Sequence, residues 1–224
     1  AVILVCFLKP IAMTMVFALI TAMTVWEFCG LVNNRGDVQV NRFICTAAGV
    51  FLFLAVTGFC SELTPSSVFI PYLITVIYLF ISGLFTQSED PVSDWAYSMM
   101  SQMYIALPLS CISVLAFRAT MTGVTTYNML LPVSVFIFLW ANDTGAYCVG
   151  SLTAQLPGGN HKMAPVISPK KSWEGLIGGF AFALLAGYIF SLYAGEYALW
   201  QWLLLALAIA VSATFGDLYE SKVK

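Results

Sequence analysis

Charge is what this chain has least of. Only 9% of its 224 residues are Asp, Glu, Lys or Arg, against about 25% in ordinary soluble domains, whereas 60% are hydrophobic and mean hydropathy is +0.89. Such a chain cannot be a soluble globular domain, and nothing in it points to a nucleic-acid partner. Histidine is almost absent too: His161 stands alone, which excludes an H-E-x-x-H zinc site and counts against a Ser-His-Asp triad. The six cysteines (Cys6, Cys29, Cys45, Cys60, Cys111, Cys148) form no C-x-x-C pair and read as small apolar helix residues. There is no soluble domain, low-complexity tract or clear repeat, and the apolar runs are continuous and do not alternate every second residue, which favours helices over a membrane β-barrel.

What is there is a series of uncharged runs: 10–26, 43–61, 63–88, 95–117, 119–142, 175–195 and 197–216. Most are long enough for the roughly 20 residues of a transmembrane helix. The stretch 1–8 is equally apolar but too short to cross, and the chain opens without methionine, so it reads as the end of a truncated first helix. The expected fold is an all-α polytopic bundle of seven complete spans plus this partial one. Residues 1–139 would form N-terminal helices and 140–224 a catalytic region with a cytosolic loop at 150–172, all within one integral-membrane unit.

If the partial span is counted, the connections alternate between two sides. Arg35, Arg42, Lys162, Lys170, Lys171, Lys222 and Lys224 then share one side, and of the nine basic residues only Lys9 and Arg118 fall on the other. The positive-inside rule makes the first side cytosolic, and the expected location is the cell inner membrane with the site facing the cytosol.

Three polar groups break or border the late spans. The first, Trp140-Ala-Asn-Asp-Thr-Gly-Ala-Tyr147, places Trp140, Asp143 and Tyr147 on one helical face; Asp143 either faces a watery cavity or caps a break at Gly145. In the second, Ser168-Pro-Lys-Lys-Ser-Trp-Glu-Gly175, Ser168 and Pro169 read as a helix entry and Ser172 as the N-cap of the following span. Its exposed N–H groups with Lys170 and Lys171 suit a polyphosphate, although two lysines at a cytosolic boundary also satisfy the topology rule alone. The third is Phe215-Gly-Asp-Leu-Tyr-Glu-Ser-Lys-Val-Lys224. On a continuing helix, Asp217, Glu220, Ser221 and Lys224 share a face, as a cation site or as a solvated helix end. Together, a phosphate-seeking segment and carboxylates on one membrane face suggest phosphoryl or nucleotidyl transfer with Mg²⁺, which favours one or two carboxylates plus substrate phosphate oxygens.

The strings "NDTGAY", "HKMAPVISPKKSWEGLIGG" and "GDLYESKVK", in this order, resemble the phosphatidate cytidylyltransferases, or CDP-diacylglycerol synthases; Trp26-Glu27 is a weaker match. The resemblance implies a reaction of CTP with phosphatidate at the bilayer, giving CDP-diacylglycerol and pyrophosphate. It implies that Asp217, Lys171, Lys224 and Asp143 are catalytic. It assigns phosphate contacts to Ser168, Lys170, Lys171, Ser172, Gly175 and Lys224, and Mg²⁺ to Asp217 and Glu220, with room for a helping monovalent cation and for a homodimer. The family signature continues beyond Lys224 and there carries a second metal-binding aspartate, so the chain is expected to lack both ends of the protein. Two other readings stay open from the residues: a CTP-dependent polyprenol or phytol kinase, and a secondary transporter using Asp143 and Asp217 as ion sites.

Overall fold

The computed structural model describes residues 9–82, 90–119, 123–156, 159–165, 168–195 and 197–223, with Lys170, Glu220 and Val223 described by their backbone alone. The partial span expected at 1–8 and all of Lys224 lie outside the described residues. The chain divides into two compact units, Ala1–Met129 and Leu130–Lys224.

The first unit comprises α1 (Pro10–Asn33), α2 (Arg42–Cys60), the 3₁₀ turn Ser66–Phe69 leading into α3 (Ile70–Ser82), α4 (Pro91–Ala116, with a π-helical stretch at Ser101–Ala106) and a hairpin of β1 (Phe117–Ala119) and β2 (Thr125–Tyr127). Pro10 opens α1, where its missing N–H costs nothing. The Asn41 side chain caps α2 by accepting from the Ile44 N–H at 3.1 Å. The charged Glu27 does not end α1: the helix runs on past Trp26 to Asn33, and Trp26 serves as a platform for the Arg42 guanidinium 4.3 Å from its ring centre. Val25, Cys29, Cys45, Leu52, Tyr72, Leu79 and Ile105 build the core. Hydroxyls inside the spans bond back to the preceding turn, as Thr21 does to the Phe17 carbonyl at 2.8 Å and Thr57 to that of Phe53 at 2.8 Å.

The second unit comprises α5 (Leu130–Ala154), a hairpin of β3 (Lys162–Ala164) and β4 (Ser168–Ser172), α6 (Trp173–Tyr193) and α7 (Leu199–Val223). At its apolar end Phe138, Phe190 and Trp202 form an aromatic cluster, with Phe138 and Phe190 edge to face at 5.2 Å. Toward the other end α5 and α6 approach through glycines. A methyl group on Gly145 would sit 2.6 Å from the Gly178 carbonyl oxygen, and one on Gly179 would sit 2.8 Å from that of Asn142. This is small-residue packing of the kind membrane helices use where burial of oil offers no driving force.

The chain is an all-α polytopic membrane protein in its coarse design. Among the described residues, five helices are long and apolar enough to cross a bilayer by themselves: α1, α2, α4, α6 and α7. The run 63–88 holds the shorter apolar helix Ser66–Ser82, and the run 119–142 holds β2 and then the first half of α5, which carries Asn142 and Asp143 at its middle. Two short hairpins accompany the helices, and two local readings are corrected. Gly145 does not break α5, because its missing side chain admits α6 instead. Ser168 and Pro169 enter a strand, not a helix, since β4 pairs with β3 in the register Lys162↔Ser172 and Ala164↔Ser168. Pro169 is tolerated there in a two-stranded ribbon, where a missing N–H need not disrupt a ladder on both sides.

Candidate functional site

Ser172 is where local sequence and site geometry meet. Its side chain accepts from the Gly175 N–H at 3.1 Å, the N-cap bond expected from the sequence, and it also receives the Asn160 amide at 3.4 Å. Asn160 donates in turn to the Gly150 carbonyl at 2.7 Å, so one carboxamide ties the end of α5 to the start of α6. Glu174, the second residue of α6, holds the loop from the other side. It accepts from the His161 backbone N–H at 3.1 and 3.2 Å and meets the ring Nδ1 at 2.7 Å, while the Trp173 N–H donates to the His161 carbonyl at 3.0 Å. A polar segment that the sequence presents as a long loop is thereby pinned against two helix ends.

Beneath it lies a pocket of about 660 Å³. Helix α5 contributes Asn142, Asp143, Tyr147 and Ser151; the loop and hairpin contribute Asn160, Lys162, Ser168 and Lys171; α6 contributes Gly175; and α7 contributes Thr214 and Asp217. Asp143, Ser168, Lys171, Ser172, Gly175 and Asp217, all expected site residues, line this one cavity. The α6 entrance and the α7 exit therefore lie at the same end of the unit. The side chains of Lys170 and Glu220, and all of Lys224, are outside the described residues.

Lys171 and Asp217 are in contact, with Nζ 2.8 Å from Oδ2 and 3.4 Å from the Thr214 carbonyl. The Lys171 side chain is 20% exposed and that of Asp217 64%. Asp143 is exposed on the pocket wall. No group of three or more His, Cys, Asp or Glu among the described residues forms a metal cage. Two accessible carboxylates on one cavity are nonetheless the donor set suited to Mg²⁺ that completes its shell with water and substrate phosphate, so the residues fit that ion in a substrate-assisted mode.

Sequence reasoning missed Lys162 and Asn160. Lys162 entered the charge count and the quoted motif without a role, yet the strand register sets it across from Ser172 and it lines the pocket. Its signal was the density of polar residues in Asn160-His-Lys162, where the motif begins.

The fold and pocket define a class: a membrane-helix protein with cations and carboxylates gathered in one cleft at a helix end. The chain belongs to the cytidylyltransferase family, whose profile matches residues 1–224. It is 28% identical over 231 residues to a phosphatidate cytidylyltransferase of Haemophilus influenzae, covering 96% of this chain and 78% of that protein. A phosphatidate cytidylyltransferase of Staphylococcus haemolyticus is 32% identical over 162 residues, 71% of this chain and 56% of that protein. One from Staphylococcus epidermidis is 27% identical over 187 residues, 77% of this chain and 66% of that protein. The chain thus spans less than two thirds of the two staphylococcal relatives and more than two thirds of the first.

Proposed function

We propose that this chain transfers a cytidylyl group from CTP to phosphatidate, giving CDP-diacylglycerol and pyrophosphate. The observation that carries this reading is the convergence of Lys162, Lys171, Asp143 and Asp217 on one pocket, in a chain the cytidylyltransferase family matches from end to end. A lipid phosphate oxygen forms a bond to the α-phosphorus of CTP. The bond from that phosphorus to the bridging oxygen of the β-phosphate breaks, and pyrophosphate leaves with the electron pair. Both nucleophile and leaving group belong to the substrates, so the protein's part is to position two polyanions and neutralise their charge.

Lys171 and Lys162 provide that neutralisation from the hairpin, with Lys170 and Lys224 as further phosphate contacts. Ser168 and the Gly175 backbone shape the cradle, and Ser172 holds the α6 end in place. Mg²⁺ held by Asp217, with Asp143 and Glu220 in support, supplies positive charge to the phosphate oxygens when bound. In the membrane all seven apolar helices cross, with the pocket at the cytosolic face of the inner membrane. The excess of basic residues on that side and the water solubility of CTP support this orientation.

The position of the label in CTP tests the reading. With the purified protein, Mg²⁺ and phosphatidate, α-³²P from CTP should enter the lipid fraction and γ-³²P should leave as pyrophosphate. Transfer of γ-³²P to a polyprenol, with no α label in phosphatidate products, would make the protein a lipid kinase instead.

A further inference from the structure

Lys171 and Asp217 cannot perform their proposed tasks while they hold each other. The inference that follows rests on the reading above, in which Lys171 meets phosphate and Asp217 a divalent cation. Both acceptors of Lys171, the Asp217 carboxylate at 2.8 Å and the Thr214 carbonyl at 3.4 Å, belong to α7, three residues apart. The pair therefore links β4 to α7 across the pocket. A divalent cation arriving alone at Asp217 displaces an ammonium that is only 20% exposed and has the Thr214 carbonyl as its remaining partner. A polyphosphate arriving alone at Lys171 strips the cation from Asp217 and leaves a carboxylate against a polyanion. Only the two together give each member of the pair a new opposite charge.

We propose that the Lys171–Asp217 pair is a selectivity element, making the pocket accept a divalent cation and a nucleoside triphosphate jointly and resist either one alone. The pair acts as a shared competitor: it must be split before either ion binds, and once one ion has split it the second meets no such resistance. Binding is then positively coupled, and by linkage each ion raises the other's affinity by the same factor. Lys162 provides the contrast, because it lines the same pocket with no ion-pair partner among the described residues.

Binding to the purified protein in detergent micelles tests this without turnover. Manganous ion is followed by electron paramagnetic resonance, alone and with CTP, and CTP is followed by calorimetry in the presence of chelator. Lys171→Met should tighten manganous ion alone by about tenfold and reduce the coupling to CTP by a similar factor, whereas Lys171→Arg, which keeps the pair, should resemble the parent. Lys162→Met removes the same charge from the same pocket and should tighten manganous ion by less than about threefold. Asp217→Asn approaches from the other side and should tighten CTP measured without metal, which keeps the proposal open to refutation if Lys171→Met fails to fold. Equal effects of Lys171→Met and Lys162→Met would reduce the pair to general electrostatics and overturn the proposal. So would unchanged affinities for manganous ion in Lys171→Met and for CTP in Asp217→Asn. A distinct result, Asp217→Asn leaving manganous ion binding with CTP undiminished, would remove the metal assignment itself and the proposal with it.

Discussion

Gly145→Ala is expected to injure the protein out of proportion to the single methyl it adds. That carbon would lie 2.6 Å from the Gly178 carbonyl oxygen and 2.7 Å from both Cβ and Cγ of Phe182, where ordinary contact begins at 3.4 Å. The oxygen belongs to the α6 backbone and cannot rotate away, so the helices must part by several tenths of an ångström at the seam beside Asn142 and Ala146. Overpacking of this sort costs about 1–3 kcal/mol. For a chain of this size that is a fall in melting temperature of about 2–12 °C, read by circular dichroism in detergent. Because Asp143 and Tyr147 flank Gly145 on the pocket wall, CTP turnover should fall along with stability. Gly216→Ala on α7 is the control: nothing lies within 4 Å of the added carbon, and replacing glycine inside a helix stabilises by up to about 1 kcal/mol. An unchanged melting temperature for Gly145→Ala, or an equal loss for Gly216→Ala, would show that close α5–α6 packing does not hold the site together.

The remaining expectations concern the site and its supports. Lys171→Ala should lower CDP-diacylglycerol formation at least tenfold, about 1.4 kcal/mol of transition-state stabilisation, with the melting temperature little changed; near-normal turnover would return the two lysines to a topological role. Ser172→Ala removes the α6 cap and should cost about 1 kcal/mol, visible as a lower melting temperature, whereas Ser172→Thr should preserve it. Glu174→Ala releases His161 from the α6 entrance and should raise protease cleavage in the 155–165 segment; an unaltered cleavage pattern would mean the hairpin is held without it. Cysteine placed at Ser151 or Gly159 should resist labelling from outside intact cells, and efficient labelling would invert the topology.

Much of the site was legible because membrane helices leave few polar residues to choose from. Asp143, Lys171 and Asp217 stood out as charges beside oily runs, and the Ser172 cap followed from the residue type preceding an apolar run. Residues whose role depends on pairing across space were not legible. Lys162 reaches the pocket only through the β3–β4 register, and the proline-rich sequence around Pro165 and Pro169 gives no sign of strand pairing. Gly145 was ambiguous for a different reason: glycine weakens an isolated helix and also lets a second helix approach, and the sequence does not say which partner is present. The extension of α1 past Glu27 shows a third limit, since dividing a chain at its charges finds the apolar part of a helix and not its end.

If cytidylyl transfer occurs in the pocket lined by α5, the hairpin, α6 and α7, Asp217 is its principal carboxylate. Asp217→Asn keeps the side chain's size and removes its charge. The decisive measurement is the rate of CDP-diacylglycerol formation by this variant at saturating CTP and phosphatidate across a Mg²⁺ titration, with its melting temperature recorded alongside. A loss of about 10²-fold or more is expected in a protein that melts normally, poorly restored by added Mg²⁺. Near-parental turnover by the folded variant would contradict it and place the chemistry elsewhere in the chain.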